Sequence, residues 1–249
     1  MRQFLWMKIV FLCLWVCLTP AYAQGYTGIS GMFHVPTAEM LQEGTARIGA
    51  FFLNGEFLPD KLAYNDTKYN TFNHYLGLTP FPWIEISYVC TLTKGAKNLD
   101  ESQGVGYNQK DRFFSVKLRP LKEGKWWPAI AVGAQDPGRT IKDKSGDYAF
   151  FQNFYLAATK HACWQGHEWG GHLAYRYYRS DFNARWRGIA GGLTFRPGFA
   201  RNLRAMVEYT GNDVNVAVDC LLWKHLFLQG GLQNGKYFSG GICFQMNLF

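Results

Sequence analysis

Along most of the chain, apolar and polar positions change places at every residue. Ile84, Ile86, Tyr88, Cys90 and Leu92 alternate with Glu85, Ser87, Val89, Thr91 and Thr93. Phe114, Val116 and Leu118 alternate with Ser115, Lys117 and Arg119; Leu173, Tyr175 and Tyr177 with His172, Ala174 and Arg176. Val214, Val216, Val218, Cys220 and Leu222 alternate with Asn215, Ala217, Asp219 and Leu221. A strand sends successive side chains to opposite faces, so each stretch has one apolar and one polar face. No stretch carries a convincing i, i+3, i+4 stripe. The pattern predicts about twelve strands, near 44–53, 69–78, 83–93, 111–120, 127–135, 148–160, 170–179, 188–196, 203–210, 213–222, 226–234 and 237–248. Pro80, Pro82 and Pro197-Gly198 mark breaks. Gly211-Asn212 and Asn234-Gly235 are two-residue hairpin signals, the latter suited to a type I′ turn.

Alternation fits both a soluble β-sandwich and a membrane barrel. Strand length favours the barrel: many stretches run about ten residues, enough to cross a bilayer when tilted. So does the charge carried in mid-strand by Glu85, Lys117, Arg176, Arg196, Arg204, Glu208 and Asp219. These residues suit a hydrated lumen lined by salt-bridge ladders. Aromatics cluster near strand ends (Tyr69, Phe72, Phe81, Trp83, Trp126, Trp127, Phe150, Phe151, Trp186, Trp223, Tyr237), as interfacial girdles do. The chain finishes on an alternating strand with a terminal aromatic, as outer-membrane proteins do, although Phe249 is out of phase with Phe244, Met246 and Leu248. An even strand count puts both ends on one side. The connections 54–68, 94–110 and 136–147 are then long outer loops, and 79–82 is a short inner turn.

Composition sets the compartment. The chain has 249 residues, of which 48% are hydrophobic, 17% aromatic and 18% charged, so it can bury enough surface to fold. Its mature part lacks the unbroken apolar run that a membrane helix needs. Arg2 and Lys8, the apolar run 9–18, and Ala21-Tyr22-Ala23 read as a signal peptide over 1–23. Gln24 follows, where a lipoprotein would carry Cys. Removing that segment takes the formal net charge from +8 to +6. Cys90, Cys163, Cys220 and Cys243 remain, without a C-x-x-C spacing, and read as free or incidental thiols rather than a disulfide framework.

Chemistry is sparse. Glu85, Glu208 and Asp219 could serve a glycosidase as a carboxylate pair, but the basic residues on the same face make ion pairing the simpler reading. His161, His167 and His172, with Glu168, have spacings that match neither H-E-x-x-H nor one face of a strand throughout, and are read as scattered. Neither a metal nor a cofactor is expected. Asp136-Pro137-Gly138-Arg139 opens a long loop, where Asp136 and Arg139 are candidate glycan contacts, although capping the turn is the simpler reading. Arg179, Arg185 and Arg187, in or beside another outer loop, are candidates for lipopolysaccharide phosphates or an acidic glycan. Nucleic acid is not an expected partner of an exported β protein.

Several segments together resemble the YjbH family of Gram-negative outer-membrane proteins linked to exopolysaccharide production. Gly25-Tyr26-Thr27-Gly28-Ile29, then Val35-Pro36-Thr37-Ala38 and Gly44, resemble its opening element. Pro82 to Tyr88, Arg112 to Arg119, and Pro128 to Asp136 are similar to three of its strands. The resemblance implies a barrel that assists secretion or maturation of a surface polysaccharide, and it supplies no active site to carry over. The expected layout is a signal peptide at 1–23, an N-terminal segment at 24–43 and a twelve-stranded antiparallel transmembrane β-barrel at 44–249. The expected partners are outer-membrane lipid and lipopolysaccharide, with polysaccharide and export-machinery proteins as further ones. A soluble periplasmic sandwich that binds glycan, and a barrel enzyme acting on lipid or glycan, stand as the alternatives.

Overall fold

In a computed structural model, residues 25–59, 62–97, 100–138, 150–178 and 181–249 are described. The expected signal peptide, Arg139 and Arg179 lie outside these residues. Twelve strands form one closed antiparallel meander: β1 (Thr45–Leu53), β2 (Thr71–Phe81), β3 (Ile84–Lys97), β4 (Asp100–Leu121), β5 (Ala129–Gln135), β6 (Asn153–Trp164), β7 (His167–Tyr178), β8 (Gly188–Arg196), β9 (Leu203–Tyr209), β10 (Val214–Leu222), β11 (Leu226–Gln233) and β12 (Tyr237–Asn247). Each strand pairs with the next. Closure comes from β1 against β12, in a register that sets Thr45 opposite Asn247 and Phe52 opposite Gly240.

The alternation settles which face is wet. Ile48, Leu76, Phe114, Leu156, Ile189, Leu193, Val207, Val218 and Ile242 point outward and are exposed. Leu173, midway along β7, is 58% exposed. Ile86 and Val116 are paired neighbours on that same outer face. A continuous apolar belt of this kind is stable against hydrocarbon and not against water, and closing the sheet leaves no unpaired edge within it. The fold is a transmembrane β-barrel and not a sandwich.

Short connections (82–83, 165–166, 223–225) share one end with both termini of the sheet; the described parts of the connections after β1, β5 and β7 lie at the other. We call these the inner and outer ends. Aromatics border the belt at both: Phe81, Trp83, Trp126, Trp164 and Trp223 at the inner end, Phe72, Phe154, Tyr237 and Phe238 at the outer. Phe151 and Trp186, expected in the girdle, are instead buried inside the outer mouth.

Of the stretch 94–110, expected as a loop, residues 94–97 and 100–110 instead continue β3 and β4. Both of its faces are wetted beyond the belt, so it carries no alternating signal. Asn234 and Gly235 have positive φ of 51° and 69°, and the Lys236 N–H closes onto the Gln233 carbonyl (3.0 Å), which makes a type I′ turn. No disulfide joins the four cysteines among the described residues.

Placing a cation at the centre of the belt tests the orientation. Leu173→Arg is expected to lower stability in lipid vesicles by about 2–4 kcal/mol. Urea titration of the vesicle-inserted protein measures the loss; an unchanged midpoint would mean that this face does not meet hydrocarbon.

Candidate functional site

The lumen is occupied by the chain itself. Residues 25–44 run inside it, and nearly every one from Tyr26 to Leu41 is buried. The segment has little regular structure: a tight turn in which the Met32 N–H meets the Val35 carbonyl (2.9 Å), and a lone bridge between Gly31 and Pro36. Its peptide groups therefore need partners from elsewhere. The charged residues of the wall supply them.

Carboxylates accept the segment's N–H groups. Glu85 on β3 accepts from Ser30 (2.8 Å) and Leu41 (2.8 Å), and also from the Ser30 hydroxyl. Glu208 on β9 accepts from His34 (2.8 Å) and Val35 (3.0 Å) and is braced by Asn215 (2.7 Å). Cations serve the carbonyls. Lys117 on β4 donates to Ser30 (2.8 Å) and Glu39 (2.5 Å), Arg47 on β1 to Gly28 (2.8 Å), and Arg204 on β9 to Gly31 (3.2 Å). Asn73 and Ser87 reach the Tyr26 and Thr27 carbonyls.

All seven charged residues singled out by the sequence face inward. Glu85 pairs with Lys117 (3.2 Å), Arg204 with Asp219 (2.9 Å), and Arg196 with Glu168 near the inner end. The expected ladder along the wall is thus only part of the pattern. Arg176 donates to His34 Nδ1 (3.0 Å) and to the Thr210 carbonyl, and Arg204 also grips the Glu39 carboxylate (3.1 Å). The segment is a member of the network. Sequence reading missed that because nothing in an alternating strand shows what its polar face will touch.

The outer mouth is closed by rings. Phe33 meets Phe57 at 5.0 Å, His34 meets Trp186 at 4.6 Å and Tyr26 at 5.5 Å, and Phe151 stacks on Phe113 at 5.1 Å. Arg185, expected to contact glycan, is instead turned to the protein: it donates to the Glu56 (2.6 Å) and Leu58 (3.1 Å) carbonyls and lies over the Trp186 ring. Arg187 donates to the Tyr178 carbonyl (2.7 Å) and remains exposed. Asp136 adopts a positive φ of 52° and ends β5 with its N–H on the Phe114 carbonyl (2.7 Å), the structural role of a turn residue.

At the inner end a recess of about 760 Å³ remains, lined by Glu39, Arg119, Lys122, Glu123, His161 and Lys224 among others. Here the structure corrects the reading of scattered histidines. His161 on β6 and His172 on β7 come together, joined by Glu39 from the segment and not by Glu168, with one ligating atom of each lying within 4.8 Å of the others. Glu39 could not be assigned from sequence, since His161 and His172 lie more than a hundred residues away along the chain.

Burial and neighbouring charges shift the titration of two segment residues. Burial, then the Arg176 and Arg185 guanidinium groups, push His34 well below the usual imidazole range, so it is neutral at neutral pH. Nδ1 accepts from Arg176, which leaves the proton on Nε2, where no partner is found among the described residues. Burial opposes ionisation of Glu39, yet Arg204 and His161 outweigh it and hold the carboxyl well below its usual range.

A closed β-barrel with an apolar belt and a lumen filled by its own N-terminal segment defines a membrane barrel of the outer-membrane type. The chain belongs to the YjbH family, whose model, described as "Exopolysaccharide biosynthesis protein YbjH", matches residues 23–219. The "Uncharacterized lipoprotein YjbH" of Escherichia coli (strain K12) is 28% identical over 141 residues, covering 55% of this chain and 17% of that protein. The chain thus matches about a sixth of that relative's length. Among solved structures, outer membrane phospholipase A from Escherichia coli is similar at a TM-score of 0.39 and 11% identity, over 84% of this chain and 98% of that one. The Salmonella typhi phospholipase dimer with bound calcium has a TM-score of 0.36 at 11% identity, over 82% and 90% of the two chains.

Removing one side of a buried pair strands the other. Lys117→Met is expected to cost about 3–5 kcal/mol, and Lys117→Met combined with Glu85→Gln less than the sum of the two single changes. Urea titrations in vesicles measure this coupling. Acid is expected to loosen the segment. Both His34 and Glu39 have folded values below their unfolded ones, so their stabilising contributions are full above the unfolded values. The His34 part is lost as pH falls below about 6.5, and the Glu39 part below about 4.3. Proteolytic cleavage within 25–44 should rise as pH falls, and Glu39→Gln should flatten its lower limb.

Proposed function

We propose that this chain is a non-enzymatic barrel of the bacterial outer membrane that assists export or surface assembly of an exopolysaccharide. The observation that carries the reading is the sealed lumen in a member of an exopolysaccharide family. A barrel whose interior is bolted to its own N-terminal segment is built to dock and position, not to stand open as a pore. Its free polar surface lies at the two ends. The inner recess, with Arg119, Lys122 and Lys224 beside Glu123, offers donors and acceptors suited to sugar hydroxyls and carboxylates. The outer rim offers the long β3–β4 hairpin and the exposed Arg187 to lipopolysaccharide or emerging polymer. Partners in the export machinery would meet the inner end.

Deletion of the gene in its own bacterium tests this. Polymer at the cell surface should fall while polymer of unchanged composition and length accumulates inside the envelope, and the intact gene should restore display. Unchanged surface display would overturn the reading. Altered linkage or length of the polymer would favour a barrel enzyme instead.

A further inference from the structure

Glu39, His161 and His172 meet where the N-terminal segment leaves the lumen. The β6–β7 register sets Thr159 opposite His172 and His161 opposite Gly170, so the two imidazoles are diagonal neighbours on the inward face. Their rings lie 5.8 Å apart at 77°. Gly170 permits this approach: a Cβ there would stand 2.3 Å from Thr194 Oγ1, 2.8 Å from His172 Nε2 and 3.1 Å from the His161 ring. Glu39 Oε1 lies 3.3 Å from His161 Nε2. Bonds of about 2.0–2.1 Å at tetrahedral angles place neighbouring donors about 3.3–3.4 Å apart, close to that separation.

Each donor is held in place by neighbours, Glu39 by Arg204 (3.1 Å). His161 Nδ1 lies 2.7 Å from Glu123 Oε2, a carboxylate behind the imidazole that fixes its tautomer and frees Nε2 to ligate. Glu123 is itself held by the His161 N–H (2.8 Å) and Lys160 (3.2 Å). His172 is bracketed by the Thr159 and Thr194 hydroxyls at 3.1 and 3.0 Å, so either ring nitrogen has a neighbour to orient the other. Both Glu39 and His161 line the inner recess, which provides an entry path and an open coordination position. Two imidazoles and one carboxylate suit a borderline transition ion and not calcium or magnesium, which prefer all-oxygen ligands.

We propose that Glu39, His161 and His172 form a binding site for one divalent ion of the zinc class, with Glu123 orienting His161 and the fourth position open to the recess. The ion bridges the N-terminal segment to β6 and β7. This assignment does not depend on the polysaccharide reading.

Titration of the tag-free full-length chain in detergent with Co²⁺, followed by displacement with Zn²⁺, tests the site. The expected result is one ion per chain, with visible d–d absorption of a four- or five-coordinate centre that excess Mg²⁺ does not displace. His161→Ala and His172→Ala should each weaken binding at least tenfold, and Glu123→Gln by about 10–100-fold at unchanged stoichiometry. Heat-modifiable gel migration reports whether each variant is folded. Should His172→Ala misfold, His161→Ala decides, because the His161 side chain is 24% exposed and lines the recess, so that its loss widens an existing opening. Equal affinity in folded His161→Ala, or no saturable binding to the unaltered chain, would overturn the proposal.

Discussion

An irregular stretch of backbone inside a protein must find a hydrogen-bond partner for each peptide group, and the charged residues at the centre of this barrel's interior answer to that demand. Segment 25–44 makes few bonds with itself. The wall meets the shortfall with full charges: carboxylates of Glu85 and Glu208 for its N–H groups, and Lys117, Arg47 and Arg204 for its carbonyls. Charge-assisted bonds are shorter and stronger than neutral ones, so a few side chains hold a long segment. The same arrangement lets charges lie in a dry interior. Glu85 and Lys117 are completely buried, yet each has its opposite charge and several peptide dipoles within reach.

The two ends of the lumen then differ in kind. The outer mouth is closed by packed rings from the segment, the wall and the outer connections, with Arg185 tying one connection to another. The inner end keeps a polar recess of about 760 Å³. Whatever this protein meets from the inner side can enter that recess without disturbing the barrel, whereas anything crossing from end to end would have to displace the segment. A barrel of this kind can present a surface on each side of a membrane while remaining sealed between them.

The barrel was legible in the chain because a bilayer imposes period-two alternation on every strand, as in 84–93 and 214–222. It was also legible that mid-strand charges such as Glu85 and Asp219 face the interior. Their partners were not. Strand periodicity says which side a residue takes but nothing about what occupies that side, and the segment carries no pattern of its own. The hairpin beyond Thr93 was hidden for the complementary reason, since both of its faces are wet. The meeting of His161 with His172 depends on the register of β6 against β7, and that of both with Glu39 on the path of the segment. Neither is encoded in local spacing.

The segment's contacts also constrain the order of assembly. Its partners come from β1, β2, β3, β4, β6, β7 and β9, that is, from around most of the circumference, and it continues directly into β1, one side of the closing seam. A half-curled sheet could still pair Glu85 with Lys117 and Arg204 with Asp219 across neighbouring strands, but the segment's peptide groups would lack part of the wall that serves them. The segment's full set of contacts exists only once β1 has closed on β12, so the N-terminal stretch and the seam depend on each other as a mandrel and the cylinder rolled around it do.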